Sequence, residues 1–508
     1  MIRTCTCVGR RSPNLLLSLA LLGLAAGSAQ AQQGQQAPAV RGAPTGDVQS
    51  FFLQWPLPKG AEKYADIDGH RMHRDVVEQA QISRRYQKEV NPKFWGRITG
   101  AQSDQWSQDW LMAKFRAIGL SDVRAQPFDL APQWFPQSYT VTVSSGGKSV
   151  ELVSAQPFYG SNGTPPQGLD VEAVYVGLGT DPDFQGRDVK GKAVFTYSIL
   201  GAPEENAWRR AETNGAALVF DAQMLPGNLR YQAYPSSTQI PAFAIGGDDG
   251  ETVRDMFASG QPVRVKASLA VQRVPNLKTA LVWATLPGAS DETIYLIAHR
   301  DGWFDASGDN ASGVASIIAL AEHYAKIPQA QRPRTIVFVG LDGHHNSGEG
   351  AGAGRNWMVE NAKQLFPKTA LMINAEHPST VQTTVRPRYG QGGDQIYWTN
   401  TYTGQAWYAG GPTRPDLERI TLAAFREFGV LHYPEQNPRP PAGDGGRFWS
   451  IVPVVASSDF HNYFHTDGET PETVPWTGLE ATTRAYARII DDVNKLPLTA
   501  LQGSEAGN

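Results

Sequence analysis

Between residues 277 and 376 the chain alternates strand-length apolar runs with segments of helical period, and no other feature restricts its fold as much. LKTALVWATL (277–286), ETIYLIAH (292–299), RTIVFVGL (334–341) and TALMINAE (369–376) read as strands. SGVASIIALAEHYAK (312–326) and AGRNWMVENAKQL (353–365) fall between them and read as helices. Nearly continuous apolar strands separated by helices imply an α/β fold, a mostly parallel mixed sheet flanked by helices. Ligands of such sheets collect beyond the carboxyl ends of the strands.

Imidazoles and carboxylates stand at those ends. His299 follows TIYLIA, His344 and His345 follow VFVGLDG, and His377 follows LMINAE; Asp301, Asp309 and Glu376 accompany them. Strand ends of one sheet converge, so these groups can meet within metal-ligand reach. A set of nitrogen and oxygen donors suits zinc, with manganese, cobalt or nickel as alternatives. Other histidines read more plainly: His323 as a helix residue, His70 and His73 as surface residues, His432 as an imidazole without acidic company. The glycine run GEGAGAG (348–354) lacks GxGxxG spacing and a following Lys-Ser/Thr pair, which argues against a nucleotide site.

The flanking sequence supplies context. Arg3, Arg10 and Arg11, the apolar run 15–26 and Ala29-Gln30-Ala31 form a secretory signal peptide over 1–31, too short in its apolar part to span a bilayer. Cys5 and Cys7 are the only cysteines and leave with it, so neither disulfides nor thiolate ligands are expected afterwards. Removing its three arginines takes the formal charge from −4 to about −7, which favours neither nucleic acid nor an anionic membrane as partner. The protein is therefore expected to be periplasmic or secreted. Residues 32–55 read as a flexible linker and 497–508 as a tail. Helices are expected over 72–90 and after Ser103, the second capped by Ser103 and stopped by Gly119. SYTVTVSSGGKSVELV (138–153) reads as a hairpin. Short β runs dominate 158–270, which reads as an inserted β-rich module dividing a domain made of 56–157 and 271–496.

Several blocks carry a family resemblance. AHRDGWFDASGDNASGVASIIALAEHYA (298–325) resembles the metal-binding stretch of the co-catalytic zinc exopeptidases, the family of glutamate carboxypeptidase II, the transferrin receptor and bacterial zinc aminopeptidases. VFVGLDGHHNSGEGAG, ALMINAEH and YFHTDGETPETVPWTGLEATTRAYARI match its later blocks in order, the last standing for its closing His-Thr…Asp-Thr block and final helix. VYVGLGTDPDFQGRDVKGKAVF, NGAALVF and IPAFAIG resemble its inserted protease-associated domain. The resemblance implies that His299 and Glu376 bind one metal, that Asp309 bridges two, and that His465 binds the other. It implies that Asp301 orients His299 and that Asn310 is the usual neighbour of the bridge. Two dications need shared negative charge between them, which is why the bridge is acidic.

Two positions depart from the family. Its Glu-Glu pair, one general base and one ligand, is replaced by His344 and His345. Imidazole can ligate zinc, so His345 takes the ligand role; an imidazole is also a competent proton shuttle near neutrality, which suits His344 to the base role. Phe464 stands where the glutamate carboxypeptidase II branch has an oxyanion-binding Tyr, and Phe cannot donate. Glu349 is a surrogate carboxylate at a glycine-flanked position, and His377 and His461 are spare imidazoles. One helical turn would align His461 with His465. Arg386, Arg388, Tyr389, Trp398, Trp407, Tyr408 and Arg447 are candidate cleft residues, with ordinary packing as the plainer reading. The expected activity is metal-dependent hydrolysis of a peptide or small amide by metal-activated water, with His344 as base and zinc, one or two ions, as cofactor. A non-catalytic binding protein on this fold and a hydrolase of non-peptide amides or esters are the alternatives; oligomeric state is left open.

Overall fold

In the computed structural model the described residues are 47–198, 207–223, 225–232, 238–345, 352–387, 394–403, 405–409, 414–434, 440–458 and 461–502. The expected signal peptide, most of the linker, Glu349, Arg388 and Tyr389 lie outside them, as do the side chains of Arg386 and Tyr408. Among the described residues no helix is long and apolar enough to cross a membrane.

The strands anticipated from 277 to 376 form the middle of an eight-stranded mixed sheet. Its order is His432–Pro434, Gln405–Ala409, Val454–Ser458, Thr369–Ala375, Thr293–His299, Thr335–Leu341, Lys278–Leu286, Ser121–Asp129. The four strands from Val454–Ser458 to Thr335–Leu341 are parallel. Alternation along a strand serves two cores: Ile294, Leu296 and Ala298 enter one face, Tyr295 and Ile297 the other. Helices Gly69–Glu89, Gln102–Ile118, Gly313–Ala325 and Trp476–Val493 supply the first core, with Val76, Leu111, Ile317 and Leu479 against the sheet. On the other face Met358, Phe366 and Phe448 close the second.

Local detail explains the helix boundaries. Ser103 lies one residue inside its helix and is not the cap; its hydroxyl accepts from the Ile98 N–H at 3.0 Å. Gly119 ends that helix at φ 88°, a left-handed conformation that glycine adopts freely.

The second sheet also has eight strands, ordered Lys148–Glu151, Gln133–Ser145, Val263–Val274, Leu169–Tyr175, Ala193–Ser198, Leu218–Gln223, Ala242–Ile245, Gln156–Pro157. It takes in the 138–153 hairpin, which sequence alone had grouped with the first domain. Ser145 pairs with Val263 and Gln133 with Val274 in one long antiparallel ladder. Val141, Val143, Val265 and Ala267 thereby share one core, so this sheet draws on residues from Gln133 to Val274 rather than 158–270 alone.

Register sets the level of the candidate site. His299 pairs with Leu341, and Ile297 with Asn374. The residues just past these ends, Asp301, His344, His345, Glu376 and His377, therefore emerge together at one edge of the parallel strands.

Candidate metal centre

Asp309 lies at the centre of this edge. It belongs to the tight turn Ser307–Ser312 that leads into helix Gly313–Ala325, and its peptide bond to Asn310 is cis. Its two carboxylate oxygens face four imidazoles. Oδ1 lies 3.0 Å from His299 Nε2 and 2.8 Å from His377 Nε2. Oδ2 lies 3.0 Å from both His345 Nε2 and His465 Nε2. All five residues are buried.

The surrounding groups hold this arrangement. Asp301 accepts from the backbone N–H of His345 at 2.9 Å and of His344 at 3.2 Å, and its Oδ2 lies 3.3 Å from His345 Nδ1. His299 Nδ1 lies 3.2 Å from the Asp301 carbonyl oxygen and 3.5 Å from its Oδ1. Glu469 accepts from the Asp309 N–H at 2.5 Å and from the His465 N–H at 3.2 Å, tying two separated segments to one carboxylate. Arg97, fully buried, donates to the carbonyls of Arg300 (2.8 Å), Asp305 (2.7 Å) and Ala306 (2.9 Å), clamping the loop between His299 and Asp309. From the second sheet's side, the Gln232 N–H donates to the His465 carbonyl at 2.9 Å, beside a bridge between Tyr231 and Thr466.

His344 and Glu376 stand on the other side of His299. The His344 ring stacks on that of His299, centroids 4.1 Å apart. Its Nδ1 lies 3.2 Å from Asp444 Oδ1 and its Nε2 3.8 Å from Glu376 Oε1. Asp444 is also ion-paired with Arg355.

The other sequence candidates separate. Residues 461–465 form a turn rather than a helix, with His465 at φ 59°, so His461 is not stacked a turn below His465. It is buried 3.7 Å from Glu469 Oε1, and among the described residues neither of its ring nitrogens has a hydrogen-bond partner. Phe464 lies flat on His465 at 3.7 Å. Trp407 packs in the core against Phe425, and Trp398 donates to the Tyr463 hydroxyl at 2.8 Å. Arg447 is exposed. His323 is a helix residue 2.8 Å from Asp66 Oδ1. His73, expected at the surface, is half-buried, with Nε2 2.8 Å from the Pro471 carbonyl.

Arg97, Asp444 and Glu469 escaped the sequence reading. For Glu469 a signal existed: it lies in YFHTDGETPET, within the stretch that resembles the family's closing block. The other two come from segments whose approach to the site only the fold reveals.

The electrostatics fit a cation at Asp309. Burial alone would depress the imidazoles, yet Asp301 and Asp309 raise His299 well above its ordinary value. Against the same burial, Asp309 and Asp301 raise His345 to about 9. Burial wins at His465, which falls to about 3 despite Asp309. Burial would likewise raise Asp309, but its imidazoles, His377 and His345 foremost, hold it well below the carboxylate range. Among the described residues His299 Nε2 and Asp309 Oδ1 lie 3.0 Å apart, yet neither has a partner in hydrogen-bond geometry. Buried polar atoms without hydrogen bonds cost stability, and a metal ion satisfies such donors. Four donor groupings lie within ligand reach: Asp309 with His345 and His465; His299 with Asp309 and His377; His299 with Asp301 and His345; and His299 with His344 and Glu376. Together they form a candidate divalent-metal site of nitrogen and oxygen donors.

Residues 282–490 match the model of peptidase family M28. No curated protein matches the chain in sequence. Among solved structures, a peptidase M28 precursor from Shewanella amazonensis SB2B superposes with a TM-score of 0.65 at 19% identity, covering 86% of this chain and 96% of that one. The zinc aminopeptidase BSAP of Bacillus subtilis gives 0.58 at 17% identity, covering 86% and 98%. An aminopeptidase from Aneurinibacillus sp. strain AM-1 gives 0.54 at 18%, covering 85% and 95%. These likenesses show a shared fold at low identity.

Proposed function

We propose that the protein is an exported metal-dependent hydrolase of peptide or small amide bonds, aminopeptidase-like, with zinc as its first-choice metal in one or two copies. The observation that carries this reading is the convergence of four imidazoles on the two oxygens of Asp309, at 2.8–3.0 Å, at the strand ends of a peptidase M28 fold. Fold by itself does not fix chemistry; the donor set does more. His299, Asp309, His345 and His465 would hold the metal, with a further donor from the 376–377 pair. When bound, a divalent cation supplies Lewis acidity toward a carbonyl and toward water.

His344 is the candidate base. Its side chain is 12% exposed, against 3% or less for His299, His345, His377 and His465, so of these five imidazoles it is the nearest to solvent. Asp444 Oδ1, 3.2 Å from Nδ1, places negative charge beside that nitrogen, and Nε2 is the proposed acceptor. In the proposed reaction His344 takes a proton from water as the water oxygen bonds to the amide carbon. It returns that proton to the nitrogen as the C–N bond breaks. Asp301 keeps His299 and His345 in place throughout. The second sheet is assigned to a protease-associated domain by the resemblance of its strand sequences, and the signal-like leader supports a periplasmic or secreted location.

One observation favours a second reading, a binding protein without turnover. Phe464 supplies no donor beside His465, and an oxyanion donor is worth about 3–4 kcal/mol in such reactions. A screen of aminoacyl anilides, dipeptides and N-acyl amino acids separates the two. Turnover that a chelator abolishes and zinc restores supports the hydrolase. Tight metal binding without turnover on any of them supports the binding role. The same screen with simple esters and non-peptide amides tests the third alternative.

A further inference from the structure

We propose that His377, rather than Glu376, is the donor that completes the metal site with His299 and Asp309, and that Glu376 instead braces the segment carrying Asp444. The assignment rests on the proposed metal site and specifies its ligand set.

Glu376 and His377 are consecutive residues just past the strand Thr369–Ala375. Side chains of an extended chain alternate in direction, so only a local change of backbone can decide which one turns inward. That change is at His377, whose φ is +45°. This conformation is unfavourable for a residue with a Cβ, and it persists where surrounding contacts impose it. The contact here comes from Asn310, the residue bonded to Asp309. Its Oδ1 accepts from the His377 N–H at 3.2 Å and from the Gly313 N–H at 3.0 Å, while its Nδ2 donates to the Ala375 carbonyl at 3.0 Å. Asn310 thus locks the 375–377 backbone to the turn that bears Asp309. The result is a His377 Nε2 that lies 2.8 Å from Asp309 Oδ1, with Phe464 covering the ring at 5.5 Å between centroids.

Glu376 is engaged elsewhere. Its Oε2 accepts from Asn374 Nδ2 at 2.6 Å and from the Asp444 N–H at 3.3 Å. Gly443, at φ +72°, passes so close that a Cβ there would sit 1.9 Å from Glu376 Oε2. The carboxylate therefore fixes the backbone of the residue whose side chain faces His344.

The consequence is an unusual charge balance. Four imidazoles and one bridging carboxylate carry a net charge of −1, because each neutral imidazole contributes none. Such a nitrogen-rich set favours late first-row metals over manganese or magnesium.

The test uses the full chain, stripped by a chelator and titrated with cobalt(II), read by bound equivalents and by the visible absorption of the bound ion. For His377→Ala the expected result is loss of affinity by about tenfold or more, or of one bound equivalent, with circular dichroism unchanged. For Glu376→Gln, which keeps side-chain volume and an oxygen for Asn374, the expected stoichiometry and absorption are those of the wild type. Loss of a bound equivalent in Glu376→Gln overturns the assignment, as does wild-type binding in His377→Ala. Should His377→Ala fail to fold, Glu376→Gln decides alone. Wild-type protein that retains no cobalt at all overturns the metal site itself, a different failure from a misplaced ligand.

Discussion

His345 Nε2 and His465 Nε2 lie 3.2 Å apart, and each lies 3.0 Å from the same oxygen of Asp309. The residues are 120 positions apart in the chain, so the fold has paid to bring them together. Two nitrogen lone pairs at that separation repel unless a proton or a cation lies between them. The carboxylates of Asp309 and Asp301 raise His345 to about 9, while burial lowers His465 to about 3, so a single proton on this pair would sit on His345. A divalent cation would relieve the same repulsion without a proton, with Asp309 as a further ligand.

Asp309→Asn is expected to remove the metal with little change in fold, because the amide keeps the volume but loses the charge on which four imidazoles converge. Metal analysis after dialysis should find less than about a tenth of the wild-type content. Retention of wild-type content would show that Asp309 is not the shared ligand.

His345→Glu introduces a carboxylate where His345 Nδ1 now lies 3.3 Å from Asp301 Oδ2. Without metal, a third carboxylate beside Asp301 and Asp309 should cost about 3 kcal/mol. With zinc, the added charge should be stabilising. Thermal melts with and without zinc should therefore show a lower metal-free midpoint and a larger zinc-induced rise than in the wild type. Equal zinc-induced rises would place residue 345 outside the ligand set.

Arg97→Lys should be almost as harmful as Arg97→Ala. The guanidinium donates from three nitrogens to three carbonyls in a fixed planar pattern that an ammonium cannot reproduce. A loss of about 3 kcal/mol or more is expected in urea unfolding for either variant. A lysine variant of wild-type stability would mean that charge alone, and not the fork, holds the Asp301–Ala306 loop.

Phe464→Tyr adds a phenolic hydroxyl to the ring stacked on His465. The ring already lies over His465, so the substitution adds one oxygen at its edge. If the protein hydrolyses amides, turnover on an anilide substrate should rise about tenfold or more while KM changes little, since an oxyanion donor acts on the transition state. A change in KM alone would place position 464 in substrate binding.

Much of this was readable from residues alone because the signal was local. The strands from Lys278 to Ala375 and the helix Gly313–Ala325 follow from apolar period, and strand-end position singled out His299, His344, His345 and His377, while Asp309 was marked as a bridge only by the family resemblance. Other features depended on the third dimension. Arg97 reaches the loop after His299 from more than 200 residues away, and Asp444 reaches His344 from a different strand connection, so neither has a sequence marker. The choice between Glu376 and His377 turns on one backbone angle imposed by Asn310. The 138–153 hairpin was recognised as a hairpin, but its sheet was not, because pairing with Val263–Val274 is a long-range choice between two apolar faces. His461 and His465, four apart, suggested a helix; the positive φ of His465 breaks that period.

Anomalous diffraction at the zinc absorption edge, from crystals of the wild-type protein grown with zinc, tests the central claim most directly. The expected result is at least one strong peak at about 2.0–2.2 Å from an Asp309 oxygen, with His345 and His465 or His299 and His377 completing its surroundings. A map with no peak within reach of Asp309, and its imidazoles still turned onto the bare carboxylate, would contradict the account.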